Sequence, residues 1–361
     1  MQTCTRCILN DSYPGISFNE EGVCSICSSR KLFVPFGEEK LRAIFEATKL
    51  KGRKFDALVP LSGGKDSTYI LFLAVKKFGL RVMTMTYDNG LLSDMARDNI
   101  NKAVGIAGVE HVFYKADISL QQKVYEVMLK YSGDFCGACD IATNASVLKA
   151  SSDYRTPLIL YGTSPLEDDS FLPDSIQDVR RFKHIMKLSG LFSNKEIRDY
   201  LILPRMNHVY QYTRTKTGKF GKVVCPLYYL PNPSDQEMGD IIKKEMGWTE
   251  PESIAYTKHF DCIAEPLTNH IRQKIYGYER HLCQYSNMIR RKEISREKAL
   301  GYYEADNISA FPENMKDVMQ YLHIDTTELE KIFNIKPLLF EKYTSRWNRL
   351  FEKLKRLKDS K

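Results

Sequence analysis

Short apolar runs alternate with longer helical patterns through the first half of the chain, and this alternation constrains the fold more than any other feature. The apolar runs predict strands at 55–61, 81–87, 111–114 and 158–161. Amphipathic patterns predict helices near 38–50, 68–78, 93–107 and 119–131. Strands separated by helices of this length pair in parallel, because a tight hairpin cannot join them. The sequence therefore predicts an α/β fold: a doubly wound parallel sheet with helices on both faces.

The segment SGGKDS, residues 62–67, stands where the first predicted strand ends and a helix begins. We call it the phosphate loop. Adjacent glycines let backbone N–H groups curl around an anion without obstruction by a Cβ atom, and the amino end of the helix adds a partial positive charge. An ordinary glycine turn with a serine or aspartate N-cap is the structural alternative. Six matching residues at this junction favour phosphate binding.

Two Cys-x2-Cys pairs lie on a turn-rich N-terminal segment that is too short to form a hydrophobic core of its own. Their members are Cys4, Cys7, Cys24 and Cys27. Two such pairs can surround one ion in a closed tetrahedron of thiolates. Nine cysteines, an odd number, in a chain that begins without a signal-peptide pattern argue against a disulfide framework. We expect structural zinc, with a rubredoxin-like iron site as the alternative.

A second set of cysteines is less specific. Cys136 and Cys139 form another Cys-x2-Cys pair, and Cys225 precedes a Pro-Leu pair. Three thiolates suit a [4Fe–4S] cluster with one open iron. A redox dithiol, a zinc site and inert buried cysteines are the alternatives that the residues leave open.

Residue types that ligate metals also occur near the carboxyl end. They are His259, Asp261 and Cys262, followed by Glu279, His281 and Cys283. Such residues are more often structural than ligating, so we assign no site to them. The pattern beyond residue 234 is helical, with an amphipathic stretch near 337–358. We therefore divide the chain into a zinc-binding knuckle (1–35), an α/β domain (36–233) and a helical C-terminal region (234–361) for substrate or partner.

The 361 residues carry a formal net charge of +8, which favours polyanionic partners, nucleotide or nucleic acid. Arg180, Arg181 and Lys183 are candidates for contact with an acidic substrate, with a solvated surface as the alternative. No apolar run approaches the roughly 18 residues of a membrane span. We expect no membrane insertion and a cytoplasmic location.

The phosphate loop resembles the SGGxDS signature of the N-type ATP pyrophosphatase, or PP-loop, superfamily, which has an adenine nucleotide α-hydrolase-like fold. It lacks the GxxxxGK[ST] pattern of Walker-type loops. The resemblance implies that the loop binds the pyrophosphate end of ATP while a substrate oxygen attacks the α-phosphate. It also implies catalytic roles for Lys65, Asp66 and Ser67, with Asp66 helping to hold Mg²⁺. The ATP-binding residues so implied are Ser62, Gly63, Gly64, Lys65, Asp66, Ser67, Asp88, Gly162 and Thr163.

Segments at both ends of the chain resemble the N-acetyl sugar amidotransferases, PP-loop enzymes of bacterial surface-polysaccharide (lipopolysaccharide) and flagellar-sugar biosynthesis. The matching segments are 4–24, 276–280 and 289–300, with one departure at Lys292, where that family often has a glycine. The resemblance implies ATP-dependent conversion of an acetamido group on a sugar or nucleotide sugar into an acetamidino group, with release of AMP and pyrophosphate. No Cys-His-Glu glutaminase module is discernible in the sequence, so the resemblance also implies a separate glutaminase subunit that supplies ammonia.

Two other functions remain open at this point. Sulfur-transferring members of the superfamily carry a cysteine set comparable to Cys136, Cys139 and Cys225, so the runner-up is a [4Fe–4S]-dependent tRNA thiolase. Nucleic acid is a partner only under that alternative. A zinc-stapled binding protein that has lost its chemistry is the third reading, and the intact phosphate loop argues against it.

Overall fold

The computed structural model describes residues 2–29, 33–49, 52–165, 178–204, 206–231, 233–251, 260–306 and 315–336. One five-stranded sheet forms the centre of the molecule. Its strands are β1 (Ala57–Pro60), β2 (Val82–Asp88), β3 (Glu110–Lys115), β4 (Leu158–Leu160) and β5 (Lys222–Val224). Their order is β3-β2-β1-β4-β5, and each pairing is parallel. The predicted α/β fold class is confirmed.

The helices follow most of the predicted segments and add several. They are α1 (Ser25–Ser29), α2 (Glu38–Lys49), α3 (Lys65–Phe72), α4 (Asp94–Ala107), α5 (Ile118–Ser132), α6 (Cys136–Asp153), α7 (Val179–Ser189), α8 (Asn194–Tyr200), α9 (His208–Lys216), α10 (Asp235–Met246), α11 (Glu265–Tyr276), α12 (Arg280–Arg290), α13 (Arg296–Asp306), α14 (Met315–Tyr321) and α15 (Thr326–Phe333). The predicted helix at 68–78 begins three residues earlier, at Lys65, and ends in a π-helical turn, Leu73–Lys77. The predicted amphipathic stretch 337–358 lies outside the described residues.

Helices cover both faces of the sheet, as a doubly wound fold requires. Successive residues of a strand point to opposite faces. Ala57 and Val59 of β1 belong to a core that includes residues of α2, α3, α4 and α10. Leu58, between them, packs with Val147 and Ala150 of α6.

The N-terminal knuckle shares its core with the C-terminal helices. Ile8, Leu9 and Val23 are buried in one cluster with residues of α12 and α13, among them Leu282 and Tyr285. The Arg296 guanidinium donates hydrogen bonds to the carbonyl oxygens of Cys7 (3.0 Å) and Cys4 (3.2 Å). The division of the chain at residues 35 and 233 stays a prediction, but the knuckle packs as an extension of the C-terminal region.

Within the described ranges, no helix combines the length and the apolar character that a membrane span requires.

Candidate active site

A cavity of about 960 Å³ opens at the carboxyl ends of β1, β2 and β4. β1 and β4 are neighbours, and the chain leaves them toward opposite edges of the sheet, so the cavity lies at the topological switch point where open α/β sheets bind ligands. The phosphate loop supplies one group of lining residues: Ser62, Gly64, Lys65, Asp66 and Ser67. A second group comes from α6 and the C-terminal region: Cys136, Cys139, Cys262, Glu265, Arg280 and Gln284.

The phosphate loop has the backbone that an anion site needs. Gly63 has φ of +80°, a conformation that favours glycine. Its carbonyl oxygen accepts hydrogen bonds from Trp248 Nε1 (3.0 Å) and Asn99 Nδ2 (3.2 Å), which fasten the loop from behind. Gly64 is the N-cap of α3, and no side chain caps that helix end. The first-turn N–H groups of α3 therefore meet the cavity, and phosphate oxygens suit them as acceptors.

Substituting Gly63 with alanine tests how closely the loop is packed. A Cβ atom at Gly63 would lie 2.3 Å from the carbonyl oxygen of Ala96, on the fixed backbone of α4. Steric overlap and positive φ together are expected to lower the free energy of unfolding by about 2–4 kcal/mol, measured by urea denaturation. Gly105→Ala, inside α4 with nothing within 4 Å of its Cβ position, is the control, and we expect it to gain about 0.5–1 kcal/mol. Equal stability of the two variants would contradict this account.

Lys65 lies between carboxylates. Its Nζ forms ion pairs with Asp235, at the start of α10, and with Asp66 at 3.2 Å, and its side chain is only 12% exposed. Arg291 contacts the other oxygen of Asp235 at 3.4 Å. The sequence analysis missed Asp235, because only the fold brings α10 beside the phosphate loop.

The ATP-binding residues expected at the ends of β2 and β4 differ in whether they line the cavity. Gly162 and Thr163 line the cavity. A Cβ atom at Gly162 would lie 3.0 Å from Cβ of Asp66, so the small residue lets β4 approach the phosphate loop. Asp88 is not among the described lining residues, and its carboxylate pairs with Arg97 at 3.1 Å. Thr86, Tyr87 and Asn89 line the cavity at this strand end instead.

The four cysteines of the knuckle form a metal site. The Sγ atoms of Cys4, Cys7, Cys24 and Cys27 all lie within 4.8 Å of one another. The Cys7–Cys24 and Cys4–Cys27 sulfur distances are 3.8 and 4.0 Å. A tetrahedron with metal–sulfur bonds of about 2.3 Å has edges of roughly 3.8 Å, so the arrangement fits one ion with four thiolates. Backbone N–H groups donate to Sγ of Cys4 and Cys24, as is typical of thiolate ligands.

The second cysteine set is only partly assembled. Cys136 and Cys139 line the cavity, and so does Cys262, whereas Cys225 is absent from the described lining. Burial raises the pKa of Cys136 to about 12 and also raises the pKa values of Cys139 and Cys262, so the three thiols are protonated at neutral pH. Of the described residues, only the knuckle cysteines bring three or more metal-ligating atoms within 4.8 Å of one another.

A buried ion pair fixes the helix that carries Cys136. Arg272 of α11 donates to Asp134 at 2.5 and 2.7 Å, and both side chains are at most 1% exposed. Asp134 also accepts the N–H of Gly137 in the first turn of α6. Because a charge without its partner is costly inside a protein, this pair ties α11 to α6.

The potential metal-ligating residues near the carboxyl end do not lie together in the structure. Asp261 and Cys262 line the cavity, Cys283 is buried in the core beneath the knuckle, and His259 lies outside the described residues. His281 is hydrogen-bonded to Glu265, a cavity residue that the sequence analysis did not single out.

The basic residues predicted to contact an acidic substrate are elsewhere. Arg180, Arg181 and Lys183 lie on α7, and the described cavity lining includes none of them. Arg180 pairs with Asp178, and Arg181 is fully buried. Arg280, on α12, is a basic residue that does line the cavity.

The parallel sheet, the phosphate loop and the cavity at the strand ends together form a candidate site for a phosphate-bearing ligand. Residues 242–355 match the family model described as LPS biosynthesis protein WbpG-like, C-terminal domain. This segment includes Asp261, Glu265, Arg280 and Gln284 of the cavity.

Comparison with solved structures finds similar chains. The U34-tRNA thiolase NcsA from Methanococcus maripaludis with its [4Fe–4S] cluster is 14% identical, with a TM-score of 0.34 over 87% of this chain and 91% of that one. NMN synthetase from Francisella tularensis is 11% identical, with a TM-score of 0.30 over 61% and 96%. Glutamine-dependent NAD+ synthetase from Acinetobacter baumannii in complex with ADP is 15% identical, with a TM-score of 0.29 over 68% and 52%. No curated protein matches the chain.

Proposed function

We propose that the protein is an ATP-dependent amidotransferase that converts the acetamido group of a sugar or nucleotide sugar into an acetamidino group. One observation carries the proposal: a single cavity is lined by the phosphate loop and by residues of the segment that matches the WbpG-like C-terminal domain. An ATP-activating loop and a domain of a lipopolysaccharide-biosynthesis family thus contribute to the same space. The sequence resemblance to the N-acetyl sugar amidotransferases supports an acetamido sugar as the acceptor.

Adenylation solves the chemical problem of this reaction. The oxygen of an amide is a very poor leaving group, whereas AMP departs readily once the amide oxygen is bonded to the α-phosphate. The N–H groups at the start of α3 bind the departing pyrophosphate, and Ser62 and Ser67, whose hydroxyls lie 3.2 Å apart, donate to its oxygens. Lys65 stabilises the negative charge that develops between the phosphates. Asp66 and Asp235, the carboxylates beside Lys65, would hold Mg²⁺, which neutralises phosphate oxygens when bound.

The proposed cofactors and partners follow from the same reaction. We assign zinc to the four-cysteine site, where closed coordination makes the ion structural. Ammonia is supplied by a separate glutaminase subunit, so adding that subunit and glutamine should replace ammonium salts in the assay.

The proposal is tested by incubating the protein with UDP-linked acetamido sugars, ATP, Mg²⁺ and ammonium chloride. Mass spectrometry should find a product in which one oxygen is replaced by NH, with AMP and pyrophosphate formed in equal amounts. The same mixture without ammonium is the control and should yield no amidine. Release of ADP and phosphate would contradict adenylation.

A tRNA thiolase is the second candidate, favoured by the thiols of Cys136, Cys139 and Cys262 in the cavity. In the version that follows from the sequence, Cys136, Cys139 and Cys225 hold a [4Fe–4S] cluster. Protein prepared without oxygen and supplied with tRNA, ATP and sulfide distinguishes the two functions. Brown protein that thiolates tRNA would support the thiolase, and colourless protein that amidinates the sugar would reject it.

A further inference from the structure

Glu265 is a carboxylate at the cavity that the adenylation step leaves without a role. It is the first residue of α11, is only 9% exposed and lines the cavity together with Thr268, one turn further along the same helix. Burying a carboxylate is costly unless it is hydrogen-bonded or paired. Its surroundings therefore indicate why the fold retains it.

The side chains of Asn269 and His281 hold the Glu265 carboxylate in place. Asn269 Nδ2 donates to Oε1 at 2.6 Å, and His281 Nε2 lies 3.2 Å from the same oxygen. His281 Nδ1 lies 2.7 Å from Asp306 Oδ2, which also accepts the hydroxyl of Tyr285. The imidazole is thus fixed between two carboxylates, one at the cavity and one behind it.

His281 carries a positive charge in this setting. Burial disfavours the charged imidazole, but the hydrogen bonds to Asp306 and Glu265 outweigh it and raise the pKa of His281 to about 10. Both ring nitrogens then carry protons and donate, so Glu265 accepts a charge-assisted hydrogen bond. A carboxylate held in this way keeps its orientation toward the cavity.

Four other cavity carboxylates lie nearer to the phosphate loop or pair with lysines, and a fifth, Asp140, lies on α6. Asp66 and Asp235 contact Lys65, and Glu250 pairs with Lys243 at 2.6 Å. The Asp261 carboxylate lies against Gly64 of the phosphate loop, 3.5 Å from the Cβ position of that residue. Glu265 belongs instead to the group of lining residues from the C-terminal region, with Arg280 and Gln284.

We propose that Glu265 binds the attacking ammonia and accepts its proton, and that His281 positions the Glu265 carboxylate for this role. The inference rests on the proposed function. Ammonia adds to the carbon of the adenylated acetamido group and forms a C–N bond, which leaves a positive charge on the new nitrogen. Glu265 takes one proton from that nitrogen. The C–O bond then breaks, its electron pair leaves with AMP, and the product is an amidinium ion.

The test separates the two half-reactions in the Glu265→Gln variant. Adenylation is measured without ammonia, as exchange of labelled pyrophosphate into ATP in the presence of the acetamido sugar. Amidine formation is measured with ammonium chloride. We expect amidine formation to fall by about 100-fold or more, because general-base catalysis contributes about 10²–10⁴-fold, while exchange stays within roughly threefold of the wild type. The control is Glu328→Gln, which removes a carboxylate paired with Lys130 away from the cavity and should change neither rate.

A different nucleophile distinguishes proton transfer from a structural effect. The nitrogen of hydroxylamine is much less basic than that of ammonia, so its positively charged adduct loses a proton to water more readily. Glu265→Gln should therefore lose much less rate with hydroxylamine than with ammonia. His281→Gln keeps the Glu265 carboxylate but removes the imidazole that positions it. Amidine formation with ammonia should fall by about 10-fold in this variant, again with a smaller loss for hydroxylamine. This variant also tests the inference if Glu265→Gln does not fold.

Three outcomes would overturn the inference: amidine formation within threefold of the wild type in Glu265→Gln, equal losses of exchange and amidine formation, or equal losses with the two nucleophiles. A wild type that adenylates no acetamido sugar would instead reject the proposed function itself.

Discussion

Lys65→Ala is expected to abolish formation of AMP and pyrophosphate, with a loss of at least ~10³-fold, or about 4 kcal/mol of transition-state stabilisation. Lys65 begins α3 at the cavity and is the one basic residue of the phosphate loop. Its Nζ pairs with the carboxylates of Asp66 and Asp235. Asp66→Ala is expected to have the same result, because it removes a carboxylate beside the phosphates. Chromatographic measurement of AMP checks both variants.

The fold should survive the loss of Lys65. Its side chain faces the cavity, and Asp235 keeps its contact with Arg291. Lys77→Ala is a matched control: Lys77 ends the π-helical turn that follows α3, and its ammonium pairs at the surface with Glu38. We expect Lys77→Ala to keep wild-type AMP formation. An Lys65→Ala variant with undiminished AMP formation would show that the loop does not handle the phosphates.

Loss of the knuckle metal is expected to cost roughly 5 kcal/mol or more of the free energy of unfolding, because binding of a structural metal contributes directly to folding. Elemental analysis should find one zinc per chain, and Cys4→Ser or Cys24→Ser should lose it. The destabilisation should reach α12 and α13, since Arg296 bonds to the carbonyl oxygens of Cys4 and Cys7. Urea denaturation with and without the metal measures the effect.

Cys283→Ala is the matched control for the metal site. Cys283 is buried in the same core as the knuckle cysteines but lies outside the four-sulfur group. The variant should keep its zinc and lose only the small free energy of a truncated buried side chain. If protein prepared without chelators contains no metal, the zinc assignment is wrong.

Sequence patterns predicted the elements whose periodicity is strong. β1 to β4 follow apolar runs bounded by turn residues, and the phosphate loop was located from the strand before it and the helix after it. β5 was missed because it forms no apolar run: Lys222 and Val223 are exposed, and Val224 alone of its three residues is buried. α6 was missed because its buried residues are mainly small, such as Ala142 and Ser146, so no apolar face stands out from its sequence.

The candidate site was predictable only where it is local in sequence. The residues of the phosphate loop are consecutive, and so are Gly162 and Thr163. Asp235 and Glu265 reach the cavity through tertiary packing, and nothing in their local sequence reveals it. Asp88 is a different case: the end of its strand was predicted, and its carboxylate pairs with Arg97, so its nucleotide-binding role stays a prediction.

The shared core of the knuckle and α12 has a consequence for the synthesis of this polypeptide on the ribosome. Ile8, Leu9 and Val23 leave the ribosome long before the residues that bury them, among them Leu282 and Tyr285. Until the last third of the polypeptide is synthesised, a metal-loaded knuckle exposes these apolar side chains, and surface of that kind promotes aggregation of nascent chains. A fragment restricted to residues 242–355, the span of the family match, would expose the complementary face of α12 and α13. A fragment in which these apolar surfaces cover each other therefore combines two separate parts of the sequence: the first 29 residues and the C-terminal helices.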